Sequence, residues 1–256
     1  MRSIPLKLAT WNIGGGILGE SHQRGRSPSL DYHVSVLKEY LPDVVCLQEA
    51  HDYHGRRESQ SEYLARSAGY AYFASFPTSA SHLAENASLA LGILSRFPIK
   101  DAVYKTFPNP RLEASGPNGD EWRLHDKGYA VASVDLGDRK LGLINGHCFP
   151  LHRFGANSAE PRFAQMWDML TEDLLAIGDS GTALAAMDLN HGQIGEVLAG
   201  VLRPGVYLNA FEGTPTTPKG VQKDFILYGH AMRLITTTVA ATESDHSYCQ
   251  VSVLAY

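Results

Sequence analysis

The stretch DVVCLQEA, residues 43–50, places an acidic residue directly after an apolar run. The run predicts a strand over Val44–Gln48 that is buried on both faces, because polar and apolar residues do not alternate along it. Glu49 follows at the end of this strand. A carboxylate held against a protein core needs a partner or a metal ion, since burying an isolated charge is very costly. Glu49 is therefore the first candidate for a functional residue.

Strand patterns recur along the rest of the chain. Ala130–Leu136, the turn Gly137-Asp138 and Leu141–Asn145 predict a hairpin. Short apolar or alternating stretches predict eight further strands: Leu6–Trp11, Ala71–Phe76, Leu89–Ser95, Leu184–Met187, Val206–Ala210, Asp224–Tyr228, Arg233–Val239 and Tyr248–Leu254.

Helical patterns are fewer than strand patterns. Apolar residues at helical spacing predict four helices, at Leu30–Tyr40, Ser59–Ser67, Pro161–Ile177 and Gly192–Ala199. The connection from residue 97 to residue 127 is rich in Pro, Gly and Asn and is predicted to be a long surface loop. Eleven strands and four helices, with hairpins and crossovers mixed, predict an α/β fold. In that fold two stacked mixed β-sheets are flanked by helices, and one domain spans residues 1–256.

Composition limits the class of protein. The formal net charge is −5, so a nucleic-acid partner needs a local basic patch or a bound cation. Three cysteines, an odd and low number, argue against a disulfide framework and favour a reducing compartment. The N-terminus lacks an apolar signal core, and no stretch approaches the ~20 apolar residues of a membrane span. We expect no transmembrane segment and a cytoplasmic location, with secretion after loss of a signal peptide as the alternative.

Polar side chains recur at the ends of the predicted strands. Six ends carry an amide, an acid or an imidazole: Asn12, Glu49, His147, Asp188 with Asn190, Asp224, and Asp245 with His246. One such residue is usually only a loop residue, but six in series predict that these ends meet at one site. Cys148 follows His147, yet neighbours on a strand point to opposite faces, so a Cys-His nucleophile is rejected. His51 and His54 have the spacing of zinc ligands without a Cys or His cluster, which predicts a solvated loop.

With these residues in this order, the chain resembles the endonuclease/exonuclease/phosphatase superfamily. That superfamily includes deoxyribonucleases, abasic-site endonucleases, neutral sphingomyelinases and inositol polyphosphate phosphatases. The matching stretches are ATWNIGG, LQE, LGILSRFPI, INGH, MDLN, KDFILY and SDH, which run through nearly the whole chain. The resemblance implies a four-layer α/β sandwich. MDLN stands where the family has Gly-Asp-Phe-Asn, and the loop Thr214–Pro218 replaces a Thr-Trp pair, which leaves the substrate open.

The resemblance implies a divalent metal ion, Mg²⁺ or alternatively Mn²⁺. Glu49 is implied as its ligand, with Asp245 as a further ligand, direct or through water. Hydrolysis of a phosphate ester brings an anionic nucleophile to an anionic group, and a cation held by carboxylates offsets that charge.

The resemblance also implies roles for the other polar residues. His246 and Asp188 would activate the attacking water, and either of them would take its proton. Asn12 and Asn190 would form hydrogen bonds around metal and phosphate. His147 is implied to contact a phosphate oxygen, with Asp224 fixing its tautomer and raising its pKa.

Two stretches bear on the substrate. Lys127-Gly128 resembles the Asn-Lys-Gly of sphingomyelinase-like and inositol-phosphatase members, whereas nuclease-like members carry an arginine there. Lys127 and Arg153 are predicted to bind substrate. The apolar cluster Phe149, Pro150, Leu151 and Phe154 follows His147 and is predicted to stack on a base or to line an apolar pocket.

Three functions remain open from the sequence. A magnesium-dependent endonuclease acting on DNA or RNA is preferred. It predicts a basic rim drawn from Arg56, Arg57, Lys127, Arg153, Lys219 and Lys223. A phosphatase or phosphodiesterase for a lipid or small molecule is the alternative, and it predicts a closed pocket around Lys127 and Phe149–Phe154. A binding module that has lost the chemistry is disfavoured, because every catalytic position of the family pattern is filled.

Overall fold

The computed structural model describes residues 3–19, 27–55, 58–117 and 119–256. Within these residues fourteen strands occur, in chain order β1 (Ile4–Asn12), β2 (Val44–Tyr53), β3 (Tyr72–Ala80), β4 (Ala87–Ser95), β5 (Ile99–Thr106), β6 (Glu113–Ser115), β7 (Glu121–Arg123), β8 (Gly128–Asp135), β9 (Lys140–His147), β10 (Ala183–Asp188), β11 (Tyr207–Asn209), β12 (Asp224–Gly229), β13 (Met232–Ala240) and β14 (Tyr248–Ala255). Four α-helices accompany them over the same residues: α1 (Leu30–Tyr40), α2 (Gln60–Ala68), α3 (Ala164–Gly178) and α4 (Ile194–Val197). Every predicted strand and helix is present.

Twelve of these strands form two mixed sheets of six strands each. The first sheet has the order β13-β14-β1-β2-β4-β3, and the second has the order β11-β12-β10-β9-β8-β5. β1 and β2 run parallel, as do β9 and β10. Each parallel pair is joined by a crossover that contains a helix, α1 in the first sheet and α3 in the second, as parallel strands require.

The two sheets stack face to face and are covered by helices on their outer faces. Apolar side chains of both sheets, among them Leu8 and Leu184, form the core between them. α1 and α2 pack on the outer face of the first sheet around Trp11. α3 packs on the outer face of the second sheet through Trp167 and Leu170. This arrangement confirms the predicted α/β fold of two stacked mixed sheets flanked by helices.

The ends of α2 follow from local chemistry. Ser59 precedes the helix, and its hydroxyl accepts a hydrogen bond from the backbone N–H of Glu62 at 3.1 Å. That contact satisfies one of the N–H groups that the first turn leaves without a helical partner. Gly69 ends the helix with φ 84°, a left-handed conformation that glycine adopts without strain.

The prediction of a long surface loop from residue 97 to residue 127 was wrong. This stretch contains β5, which forms an edge of the second sheet, and the small hairpin of β6 and β7. Most β5 side chains are exposed, and charged residues such as Lys100 and Asp101 interrupt any apolar alternation. An edge strand has only one neighbour to pack against, so its sequence carries a weaker burial pattern.

The predicted solvated loop around His51 was also wrong. β2 continues past Glu49 to Tyr53, and His51 is buried within it, where its Nε2 lies 2.9 Å from the hydroxyl of Ser81. His54 follows the strand and is exposed. Along the described residues, no helix has both the length and the apolar character needed to cross a bilayer.

Candidate active site

The topology of the second sheet brings three of the predicted polar residues to one edge. Asp188, at the end of β10, is paired in register with His147 on β9 and with Asp224 on β12. β9 and β10 are parallel, so their last residues lie at the same edge of the sheet. β12 is antiparallel to β10, so its first residue lies there too. All three side chains are buried.

The first sheet contributes the facing residues. Asn12 ends β1, and β14 runs antiparallel to β1, so the loop with Asp245 and His246 that precedes β14 reaches the same edge. The Asn12 amide donates a hydrogen bond to Asp188 Oδ2 at 3.0 Å, which joins the two sheets at the site. The Asn12 Oδ1 atom accepts one from the backbone of Gly14 at 3.0 Å, which fixes the amide orientation.

Glu49 lies in a β-bulge rather than at the end of its strand. Leu47 pairs with Gly92 and Ala50 pairs with Ala90, so two residues of β2 lie opposite one residue of β4. Glu49 has φ 52°, a left-handed conformation that costs a residue other than glycine about 1–3 kcal/mol. The bulge breaks the in-and-out alternation of β2 and brings the Glu49 carboxylate to the site.

Asp188 accepts hydrogen bonds on both carboxylate oxygens. Besides the contact with Asn12, its Oδ1 accepts a hydrogen bond from the Asn190 backbone N–H at 2.9 Å. The imidazole Nε2 atoms of His147 and His246 lie 3.5 and 3.8 Å from Asp188 Oδ2. The Asn190 side chain itself donates to the Cys148 carbonyl at 3.1 Å. Asp188 is therefore the residue at which the two sheets and both histidines meet.

The predicted pairing of Asp224 with His147 was wrong, because Asp224 pairs with His246 instead. The distance from His246 Nδ1 to Asp224 Oδ2 is 2.9 Å. Burial alone would lower the pKa of His246, but the carboxylates of Asp224 and Asp188 outweigh it and raise the pKa to about 10. With Asp224 on Nδ1, the Nε2 atom of His246 faces Asp188.

Thr216 holds this pair in place. Its hydroxyl accepts hydrogen bonds from the backbone N–H groups of Lys223 and Asp224 at 2.9 and 3.0 Å. Its carbonyl accepts one from the Ser247 backbone N–H at 2.8 Å. Thr216 belongs to the loop Thr214–Pro218, which stands in place of the family's Thr-Trp pair. It is fully buried and connects the start of β12 to the loop that carries His246.

The raised pKa of His246 leads to a prediction about stability in metal-free protein. A histidine that binds its proton more tightly in the folded state stabilises that state fully below the unfolded pKa of 6.5. The contribution is lost as the pH rises from 6.5 towards about 10. In EDTA, we expect the free energy of unfolding in urea to fall over this interval in the wild type and less in His246→Asn. Equal slopes for both proteins would contradict the ion pair.

Lys127 lies inside the site between Glu49 and His147. Its ammonium is 3.3 Å from Glu49 Oε1 and 3.1 and 3.2 Å from the two ring nitrogens of His147. Burial and then the charge of Lys127 lower the pKa of His147 to about 4. Burial alone would raise the pKa of Glu49, but the charge of Lys127 and the nearby histidines hold it well below its usual value. Near neutral pH the site therefore holds an anionic Glu49 and a neutral His147.

The donor set suits a hard divalent cation. Glu49 and Asp188 both lie within 4 Å of the same His147 nitrogen, at 3.7 and 3.5 Å, so two carboxylates approach one region. Mg²⁺ and Mn²⁺ prefer such oxygen ligands, and Mg²⁺ needs only one or two carboxylates because it keeps several waters. Ligand atoms of Asp188, Asp224 and His246 also cluster within 4.8 Å, but Asp224 is already engaged by His246. The negative charge of Asp245 acts on His246 from the neighbouring position.

The predicted basic rim is only partly present. Lys127 is buried, Lys219 and Arg153 are exposed, and Arg56 and Arg57 lie outside the described residues. The Arg153 guanidinium lies 6.0 Å from the centre of the Trp122 ring on β7, so a cation lies over an aromatic ring of the β6–β7 hairpin.

His152 lies at the edge of the site. Burial is the largest cause that lowers the pKa of His152, and the charges of Lys223 and Arg153 lower it further. The hydrogen bond of His152 to the Asn190 backbone puts this segment at the edge of the site.

The apolar cluster predicted to contact substrate belongs to the core instead. Phe149 and Leu151 are almost fully buried against α3 and β9, whereas Pro150 and Phe154 are partly accessible. Burial raises the pKa of the Cys148 thiol well above its usual value, which agrees with the rejection of a cysteine nucleophile.

Four residues of the site region were missed by the sequence reasoning: Gln60, Trp122, Asn145 and Thr216. Gln60 accepts a hydrogen bond from the His51 backbone N–H at 2.9 Å and donates one to the Gly15 carbonyl at 2.7 Å. It therefore connects the strand after the bulge to the loop after Asn12. Buried amides and hydroxyls that bind backbone groups have no sequence pattern, apart from their position beside a motif.

Comparison with known proteins identifies the family to which the chain belongs. The model of the Endonuclease/Exonuclease/phosphatase family matches residues 9–246 of the chain. No curated protein matches the chain significantly by sequence.

Solved structures share the fold at low sequence identity. An endonuclease/exonuclease/phosphatase from Beutenbergia cavernae has a TM-score of 0.69 and 18% identity, covering 99% of this chain and 72% of that chain. ANGEL2, a 2',3'-cyclic phosphatase, has a TM-score of 0.66 and 14% identity, covering 98% and 95%. An AP endonuclease from Archaeoglobus fulgidus has a TM-score of 0.61 and 16% identity, covering 96% and 98%. These likenesses establish the fold.

Proposed function

Because the chain belongs to the Endonuclease/Exonuclease/phosphatase family, whose members are hydrolases of phosphoesters, we propose that it is a divalent-metal-dependent nuclease. The observation that carries this proposal is the buried chain of contacts from Asp224 through His246 to Asp188. A carboxylate that holds one imidazole nitrogen, while the other faces a second carboxylate, is an arrangement that moves or holds a proton.

In the proposed reaction the chain's own residues prepare the water and the phosphate. Asp224 holds Nδ1 of His246, so Nε2 is the nitrogen directed at the reacting group. Near neutral pH His246 carries its proton, because the nearby carboxylates raise its pKa to about 10, so Asp188 is the member of this pair that takes the proton of the attacking water. Asn12 and the Asn190 backbone hold the Asp188 carboxylate through its two oxygens. His147, neutral and beside Lys127, is the donor for a phosphate oxygen.

Glu49, with Asp245 as a further ligand, is the proposed holder of Mg²⁺, or alternatively Mn²⁺. When bound, such a cation offsets the negative charge that builds on the phosphoryl oxygens.

A nucleic-acid substrate is supported by the rim of the site. Arg153 and Trp122 offer a cation and an aromatic face together, which is the combination that binds a phosphate and stacks on a base. The net charge of −5 disfavours general attraction of a polyanion, so this local pair and the bound metal would provide most of the attraction. An AP endonuclease is among the proteins of similar fold.

One observation favours a second candidate, a phosphatase or phosphodiesterase for a lipid or small molecule. Lys127 is 5% exposed and lies within the site, not on a rim that a polymer would contact. A buried ammonium beside Glu49 and His147 suits a terminal or small phosphate that enters fully. A 2',3'-cyclic phosphatase is also among the proteins of similar fold.

A substrate panel with metal removal tests the proposal. Supercoiled plasmid, single-stranded DNA and RNA, a nitrophenyl phosphodiester and sphingomyelin are incubated with Mg²⁺, with EDTA, and with EDTA followed by excess Mg²⁺. We expect cleavage of nucleic acid that stops in EDTA, returns with Mg²⁺ and weakens steeply as salt is raised.

The outcomes separate the two candidates. Turnover of only the small or lipid ester, with little dependence on salt, would replace the nuclease by the second candidate. Cleavage that persists unchanged in EDTA would contradict the metal-dependent mechanism. No turnover of any substrate in the presence of Mg²⁺ would reject both.

A further inference from the structure

Asn145 connects the two sheets directly beneath the site. It lies on β9, two residues before His147, and is fully buried. Its side-chain amide donates hydrogen bonds to the Leu47 carbonyl at 3.1 Å and to the Gly92 carbonyl at 2.8 Å, both in the first sheet. Its Oδ1 atom accepts a hydrogen bond from Gln48 Nε2 at 2.8 Å, which sets the direction of the amide.

The two carbonyls mark the place where the β2–β4 ladder is interrupted. Leu47 and Gly92 form the last paired position before the bulge, and the next paired position is Ala50 with Ala90. A buried carbonyl next to an interrupted ladder needs another donor, because leaving it without one is costly. Asn145 supplies that donor to both strands at once. The residue that follows Gln48 in the bulge is Glu49.

We propose that Asn145 is a positioning residue for Glu49, an inference that rests on the proposed metal-binding role of Glu49. The amide holds the Leu47 and Gly92 carbonyls together where the strands part, and this keeps the bulge in place. The bulge in turn holds Glu49 at φ 52°, with its carboxylate beside Lys127 and His147. Without the amide, β2 and β4 lose the contact that favours the bulged register, and the Glu49 carboxylate loses its defined direction.

The alternative is that Asn145 serves only general stability, as any buried amide in a core does. The two readings differ in what they predict for metal binding. Partners that orient a metal ligand typically change metal affinity about 10–100-fold when they are removed. A purely structural hydrogen bond changes the stability of the fold and leaves the affinity of the folded protein for metal unchanged.

The test measures Mg²⁺ binding by calorimetry in EDTA-stripped protein, below the unfolding temperature. Asn145→Leu removes both donors at similar volume. Tyr207→Phe is the matched control, since it removes a buried hydroxyl that donates to the Leu174 carbonyl at 3.0 Å, outside the site. We expect the Kd for Mg²⁺ to rise about 10–100-fold in Asn145→Leu and to stay at the wild-type value in Tyr207→Phe, although both variants lose stability.

Hydrogen exchange supplies a second readout on the same proteins. We expect faster exchange of the amides in residues 48–51 in Asn145→Leu and unchanged exchange there in Tyr207→Phe. If Asn145→Leu does not fold, Gln48→Leu replaces it, because this change removes the donor that orients the Asn145 amide.

The failure of the positioning role and the failure of the proposed function give different results. A folded Asn145→Leu or Gln48→Leu protein with wild-type Mg²⁺ affinity would overturn the positioning role and leave the proposed function intact. Wild-type protein that turns over phosphodiesters in EDTA and binds no Mg²⁺ would overturn the proposed function, and the positioning role with it.

Discussion

His246→Ala is expected to lower kcat by about 10²–10⁴-fold, the range that a positioned general acid or base contributes. The imidazole is held by Asp224 at 2.9 Å and faces Asp188 at 3.8 Å, and His246 is 7% exposed, so water cannot readily replace it. Its loss removes both the proton-transfer partner and the charge beside the phosphate. The measurement is kcat and KM on the best substrate of the panel, with Mg²⁺ at saturation.

Stability has to be separated from chemistry in this experiment. Removing His246 leaves the Asp224 carboxylate buried without its cation, and breaking a buried pair in this way costs about 3–5 kcal/mol. Thermal unfolding of each variant therefore fixes a temperature at which it is folded. His33→Ala is the matched control, because His33 on α1 is a fully buried histidine that packs on Trp11 of β1. Wild-type kcat in folded His246→Ala protein would remove His246 from the mechanism.

Glu49→Gln is expected to lower turnover on the order of 10³-fold and to weaken Mg²⁺ binding. A metal ion at the reacting phosphate is worth several kcal/mol, and each 1.36 kcal/mol is about tenfold in rate. Glutamine keeps the shape of the side chain and can still accept a hydrogen bond from Lys127, but it lacks the anionic oxygens that attract a hard cation. The measurements are kcat as a function of Mg²⁺ concentration and Mg²⁺ affinity by calorimetry.

The control for this change is Glu58→Gln. Glu58 forms an ion pair with Arg66 at 2.9 Å on the surface, and such exposed pairs contribute about 0–1 kcal/mol. We expect it to keep both turnover and metal affinity. Full activity of Glu49→Gln at low Mg²⁺ concentration would show that Glu49 is not a metal ligand and would move that role to Asp188 and Asp245.

The fold could be predicted from the sequence wherever strands are buried. β2, β9 and β10 have apolar runs because each is covered on both faces, and the sequence therefore predicts them. β5 was missed because an exposed edge strand has no such run. The Phe149–Leu151 stretch was misassigned for the opposite reason: apolar residues next to a site residue look the same in sequence whether they face the substrate or the core.

The sequence by itself determined the types of residue at the site and the order of the strands that carry them. Amides, acids and imidazoles at six predicted strand ends, together with the resemblance in motifs, were sufficient to predict the family and its two-sheet fold. Only the tertiary structure decided how these residues pair. It assigned Asp224 to His246, placed Lys127 between Glu49 and His147, and put Glu49 in a bulge held from the opposite sheet. The physical reason is that burial leaves a periodic signal along the chain, whereas contact between strands far apart in sequence depends on register, bulges and the stacking of the two sheets.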